Sequence, residues 1–221
     1  MKHQSTRDLY QYWQTLRGAR PAPERSEIEP ADIRHLLGST FILEVVSRRE
    51  YRFRLAGTKV CALYGREMKG KDFAEFWEEK DREAVATMLS AITSEAAATV
   101  MGLTGHSAHG RELPMEVIML PLRQRNEGYT RILGSLTAMA DPFWIGIHPI
   151  MKQSVSAMRL IWPDENPTQL LRGIDAPPAT SDEPPALRRR DTAPSVSAGN
   201  IIAAKWRRQV AHLTVYDGGK E

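Results

Sequence analysis

One cysteine, Cys61, stands in 221 residues, so no intramolecular disulfide can form and the fold must rest on a packed core in a reducing compartment. Nowhere does the chain approach the roughly 18 unbroken apolar residues that cross a bilayer. The start, Met1 to Asp8, has no apolar run of the signal-peptide kind. The expected location is the cytoplasm, with no membrane partner. Catalytic signatures are missing too. There is no Gly-x-Ser-x-Gly elbow and no His-Glu-x-x-His pair, and the glycines fit neither a P-loop nor a dinucleotide fingerprint. The chain is expected not to be an enzyme.

An excess of one charge is also lacking. The formal net charge is +3 with 26% charged and 42% hydrophobic residues, an ordinary globular balance with enough apolar mass for one core. From Pro163 onward, 8 Lys or Arg stand against 8 Asp or Glu. The basic clusters Arg188 to Arg190 and Lys205 to Arg208 therefore lie in a balanced tail, and nucleic acid is not the expected partner.

What is present is a clear succession of elements. Ser5 with Asp8 reads as a capping box, followed by Leu9, Tyr12, Trp13 and Leu16 on one face of an amphipathic helix. Pro21, Pro23 and Pro30 make the next stretch an extended connector, and Pro30 is placed to open a short helix through Leu37. Gly38 to Val46 and the alternating Tyr51-Arg-Phe-Arg-Leu55, joined by a polar turn, predict a β-hairpin. Short helical pieces follow between Gly57 and Trp77. From Asp81, the spacing of Val85, Met88, Leu89, Ile92 and Ala96 predicts one long amphipathic helix.

Three apolar segments come next, Thr99 to Thr104, Glu112 to Leu122 and Tyr129 to Ala138, separated by the loops GHSAHG and RQRNEG. Strands gathered on either side of a helical insert predict an α+β fold: a five-stranded antiparallel sheet over 38–140 with helices on one face. The N-terminal helix and connector occupy 1–37, and 141–162 is a connecting segment. Half of the 14 prolines fall between Pro163 and Pro194, so 163–195 reads as a disordered linker. A short C-terminal helix carrying Ile202, Trp206 and Val210 is expected within 196–221.

The stretch Tyr51-Arg-Phe-Arg-Leu-Ala-Gly-Thr through Leu63-Tyr-Gly-Arg-Glu67 and Gly70-Lys71 resembles the bacterial single-PAS family with its RLAGT…LYGRE…GK pattern. Tyr12 and Trp13, the proline-rich connector, Met119 to Leu122, and the closing His212 to Gly219 are similar to that family as well. The resemblance covers roughly Leu9 to Ala140 and the last few residues. It implies a five-stranded antiparallel PAS sheet and a role in signal sensing or protein association. The proline-rich tail is outside it.

Several residues invite sharper readings. Cys61 lacks the Asn-Cys-Arg-Phe-Leu-Gln context of light-sensing PAS relatives and has no basic partner adjacent in sequence, so it reads as a small apolar side chain. No histidine lies between Lys71 and Ala98, where a haem-binding PAS domain would present one. His106 and His109 are two ligands short of a closed metal site and read as inter-strand loop. Asp72, Glu75, Glu78, Glu79 and Asp81 read as a solvated acidic set favoured at helix N-termini.

The reading is a regulatory PAS module of bacterial signalling, expected to sense a small molecule, to mediate a protein–protein interaction, or both. Its interior, between sheet and central helices, is lined by Phe53, Leu55, Phe73, Phe76, Leu89, Ile92 and Met119. These residues serve equally as plain core, and no cofactor is identified by them. The N-terminal helix is expected to mediate a homodimer or another protein contact. With no kinase, receiver, cyclase or DNA-binding segment in the sequence, a signal is expected to leave through a partner or a change of oligomeric state. Two alternatives stay open: a ligand-free interaction adaptor, and a binder of nucleic acid or an acidic surface through Lys205 to Arg208.

Overall fold

A computed structural model describes residues 1–164 and two short strands near the C-terminus, Gln209–Val210 and Leu213–Thr214. Those two strands pair antiparallel, so Val210 stands in a strand and not on the expected helical face. The remainder of the linker and tail expectations, from residue 165 on, lies outside the described residues.

The elements run α1 (Gln4–Arg17), β1 (Thr40–Ser47), β2 (Glu50–Ala56), α2 (Thr58–Tyr64), α3 (Arg82–Glu95), β3 (Ala98–Ser107), β4 (Glu112–Gln124), β5 (Gly128–Ala138) and β6 (Ile150–Ile161). All strand pairs of the main sheet are antiparallel, in the order β2-β1-β5-β4-β3-β6. The sheet thus has six strands where five were expected, and the sixth lies in the supposed connector 141–162. Two bulges explain why β6 is hard to read. Ser156 and Met151 have no partner on β3, and each extra residue inverts the alternation by which a strand is recognised.

Side chains of the sheet close two separate cores. On one face α2, a 3-10 turn at Phe73–Phe76 and α3 cover Phe41, Leu43, Phe53, Met101, Met119 and Ile132. On the other, Leu9, Tyr10 and Trp13 of α1 and Ile33 and Leu36 of the connector cover Ile42, Val100, Ile118, Leu120 and Leu133. The central helices lie on one face as expected, while α1 takes the opposite face and spends its apolar stripe on its own sheet. The Trp13 Nε1–H donates to Pro121 O at 2.8 Å, which fixes the helix across β4.

Local details differ at several ends. His3, not Ser5, caps α1, its Nδ1 accepting from Ser5 N at 3.1 Å. The segment after Pro30 forms turns and a 3-10 piece at Leu37–Ser39 rather than a short α-helix. β3 runs on through Gly105, His106 and Ser107, so the loop expected there is confined to the residues after Ser107. Gly65 closes α2 with φ +62, a left-handed residue at a helix end where a side chain would be strained.

The helical insert also seals the sheet edges. Phe53 N donates to Lys71 O at 3.0 Å and Gly70 N to Phe53 O at 2.7 Å along β2. Glu78 N donates to Gln153 O at 3.0 Å and Val155 N to Asp81 Oδ2 at 2.9 Å along β6. Pairing of this kind removes the open hydrogen-bond row through which edge strands aggregate.

Candidate functional site

Six of the seven residues expected to line the interior meet in one buried cluster: Phe53, Phe73, Phe76, Leu89, Ile92 and Met119. Leu55 does not join them. β1 and β2 pair Ile42 with Leu55 and Leu43 with Phe53, leaving Arg54 as an extra residue. That bulge turns Leu55 to the outer face beside Ile42, where it is 47% exposed. Strict alternation in the sequence placed Leu55 with Phe53, and one inserted residue reverses the side.

The interior is aromatic. Phe53 meets Phe41, Phe73 and Phe76 at ring-centroid distances of 5.6, 5.7 and 6.2 Å. Phe76 lies 4.8 Å from Tyr64, and Phe73 lies 5.5 Å from Trp77. These separations suit edge and tilted ring pairs. Around the rings stand Met68, Met88, Met101, Met115 and Met119, unbranched side chains that repack readily around a guest.

Few polar groups reach this space. The Tyr64 hydroxyl donates to Gln153 Oε1 at 2.5 Å, and burial pushes the phenol well above its ordinary range. It is therefore a neutral donor. Trp77 is fully buried, and its Nε1–H has no hydrogen-bond partner among the described residues. Leaving such a donor unpaired costs about 1–3 kcal/mol. Asp81 is buried as well and accepts from Val155 N, which corrects its expected place in a solvated acidic set. Its role is to fasten the start of α3 to β6.

Sequence reasoning missed Tyr64, Trp77 and Gln153. Trp77 directly follows Phe73 to Phe76, and a signal was there in the aromatic spacing. Gln153 lies on β6, whose bulges hid the strand.

The histidines do not converge. His106 Nε2 is 3.0 Å from Ser154 Oγ and 3.6 Å from Glu78, and its Nδ1 is 3.6 Å from Glu112. The His109 ring packs instead on His148 at 4.6 Å. Among the described residues no group of three or more His, Cys, Asp or Glu could hold a metal ion. Cys61 is half-buried, with Sγ 3.9 Å from Ala56 O and 3.8 Å from Glu67 Oε1. No helix among the described residues is long and apolar enough to cross a membrane.

No curated protein matches the chain. Among solved structures, a LOV protein of Rhodobacter sphaeroides matches with 14% identity and a TM-score of 0.39, over 49% of this chain and 66% of that one. The LOV domain of a blue-light activated histidine kinase from Erythrobacter litoralis matches at 18% identity and TM-score 0.38, over 47% of this chain and 96% of that one. The PAS domain of an HTR-like protein from Haloarcula marismortui matches at 20% identity and TM-score 0.36, over 49% and 90%. The family model PAS_5, a PAS domain, matches residues 1–137. That span contains α1, the hairpin, the helical insert and the sheet strands up to β5, and the chain belongs to this PAS domain family.

Proposed function

We propose that the protein is a regulatory PAS module which senses a small molecule between the sheet and the central helices and hands the signal to a protein partner, without catalysing a reaction. One observation carries this reading: the buried, unpartnered Trp77 Nε1–H inside an aromatic and methionine-lined interior. A guest with a flat apolar body and one hydrogen-bond acceptor stacks on the rings, satisfies the indole and displaces a methionine or two. Tyr64, neutral and already engaged with Gln153, fixes the wall beside Phe76. The module acts in the cytoplasm, and the partner surface or a homodimer reports the change in packing.

A metabolite panel screened by thermal shift tests the proposal. A ligand present at 100 times its dissociation constant stabilises the folded state by about 2.7 kcal/mol. Trp77→Phe, which deletes the donor and keeps an aromatic ring, should weaken that ligand by at least 10-fold. If no compound shifts the melting temperature, or the shift is the same in Trp77→Phe, the sensing reading fails. The second reading, a ligand-free adaptor, is favoured by the extent to which rings already meet across the interior, and it predicts a featureless panel. Binding of nucleic acid or an acidic surface through Lys205 to Arg208 predicts affinity that falls steeply with salt and disappears when those residues are neutralised.

A further inference from the structure

On the outer face a cleft of about 490 Å³ is lined by Arg25, Ile42, Arg54, Leu55, Lys69, Gln124 and Arg131. We propose that this cleft is a second binding site, for a phosphorylated small molecule whose apolar body rests on Ile42 and Leu55.

The cations come from four separate stretches of chain: the connector, β2, the turn after α2, and β5. Their convergence is therefore a product of the fold and was invisible as a run in the sequence. One carboxylate answers them. Glu44 lies 3.5 Å from Arg54 and 3.4 Å from Arg131. Arg25 and Lys69 form no ion pair among the described residues; Glu24 pairs with Arg123 at 3.6 Å, Glu127 accepts from the lining residue Gln124 at 2.6 Å, and Glu67 accepts from the Lys69 backbone N–H at 3.1 Å. A site with several cations and a single shared counter-charge suits a multiply charged anion better than one carboxylate, and guanidinium forks match phosphate oxygens.

The floor supplies the second half of the argument. The bulge at Arg54 brings Leu55 out of the interior and sets it beside Ile42, so an apolar surface lies between the cations. Nothing in the packing of the sheet needs Leu55 there, since it stays 47% exposed. The volume falls within the range of about 300–1,000 Å³ typical of small-ligand sites. A nucleic acid would call for a longer basic track than this local cluster on a chain of net charge +3. A phosphorylated compound with a ring or short chain fits both the charge and the floor.

The site lies across the sheet from the interior, and its test is independent of the sensing reading. Full-length protein is titrated calorimetrically with inorganic pyrophosphate and with adenosine triphosphate as probes, at low and at high salt. The expected result is saturable one-to-one binding of the nucleotide, weaker binding of pyrophosphate, and loss of affinity as salt rises. The double variant Arg25→Gln/Lys69→Gln, both at the surface, should weaken the nucleotide at least 10-fold, and Leu55→Asp should do the same. Arg48→Gln/Arg49→Gln, which removes equal charge from the exposed β1–β2 turn, should leave it unchanged. No binding at low salt, or equal losses in the two double variants, overturns the proposal. Loss confined to the interior variant Trp77→Phe would overturn it as well, by placing the nucleotide on the other face.

Discussion

Trp13 and Trp77 are both buried, on opposite faces of one sheet, yet only the first has its indole N–H bonded. Trp13 donates to Pro121 O at 2.8 Å and stacks at 6.1 Å from Tyr10, and Arg17 lies 5.3 Å over its ring. It is a fastening. Trp77 makes a ring contact with Phe73 and leaves its donor unused. The indole on the outer face is thus paired, while the inner face keeps an unmet indole N–H amid soft side chains. A buried donor left unpaired calls for an explanation, and a bound guest would supply one.

The sharpest way to break this division is at neighbouring positions of β2. Phe53→Ala should destabilise the protein by about 3–5 kcal/mol, as a buried aromatic leaves a cavity. Leu55→Ala, two residues away, should cost under about 1 kcal/mol, since the side chain is largely in water already. Equal losses in urea melts would mean that the bulge does not separate the faces. Next in size is Gly134→Ala on β5. A Cβ there would meet the Phe41 ring at 2.2 Å, in a packed region where overfilling costs about 1–3 kcal/mol. Phe41→Leu in the same chain should recover part of the loss, and no recovery would place the clash elsewhere.

A smaller effect tests how α1 is held. Burial would raise the Glu116 carboxyl, but the backbone N–H groups of Lys2 and His3, at 2.7 and 2.9 Å, outweigh it and hold the group below its ordinary 4.5. A depressed carboxyl stabilises the fold fully above 4.5 and loses that contribution as pH falls through its folded value. Glu116→Gln should therefore cost about 1.5 kcal/mol at neutral pH and nothing in acid. A cost independent of pH would contradict the assignment. The finest comparison sets Trp13→Phe against Trp77→Phe. Deleting a made bond should cost about 1 kcal/mol more than deleting an unmade one. Chemical denaturation of the two variants measures the difference directly.

Much of this was legible in the chain. Val85, Met88, Leu89 and Ile92 announced α3 because helical periodicity survives burial on one side. The β1–β2 hairpin and the strands after α3 were readable because their segments are apolar and end at glycines and polar loops. The misreadings share one cause. Simple alternation points Leu55 inward and leaves β6 unmarked within 141–162, because bulges at Arg54, Met151 and Ser156 break the two-residue period on which strand reading depends. Asp81 looked solvated because its partner, the backbone of Val155, belongs to that unread strand. The outer cleft has no local signature at all, its four cations being separated by up to 106 positions between Arg25 and Arg131.

The central claim, that the inner face receives a small molecule at Trp77, is most directly tested by native mass spectrometry of the full chain after exposure to a cell extract. The account predicts a discrete mass above that of the polypeptide, released on denaturation and strongly reduced in Trp77→Phe but not in Trp13→Phe. A wild-type protein that remains at the bare polypeptide mass, or an added mass retained equally by Trp77→Phe, would contradict it.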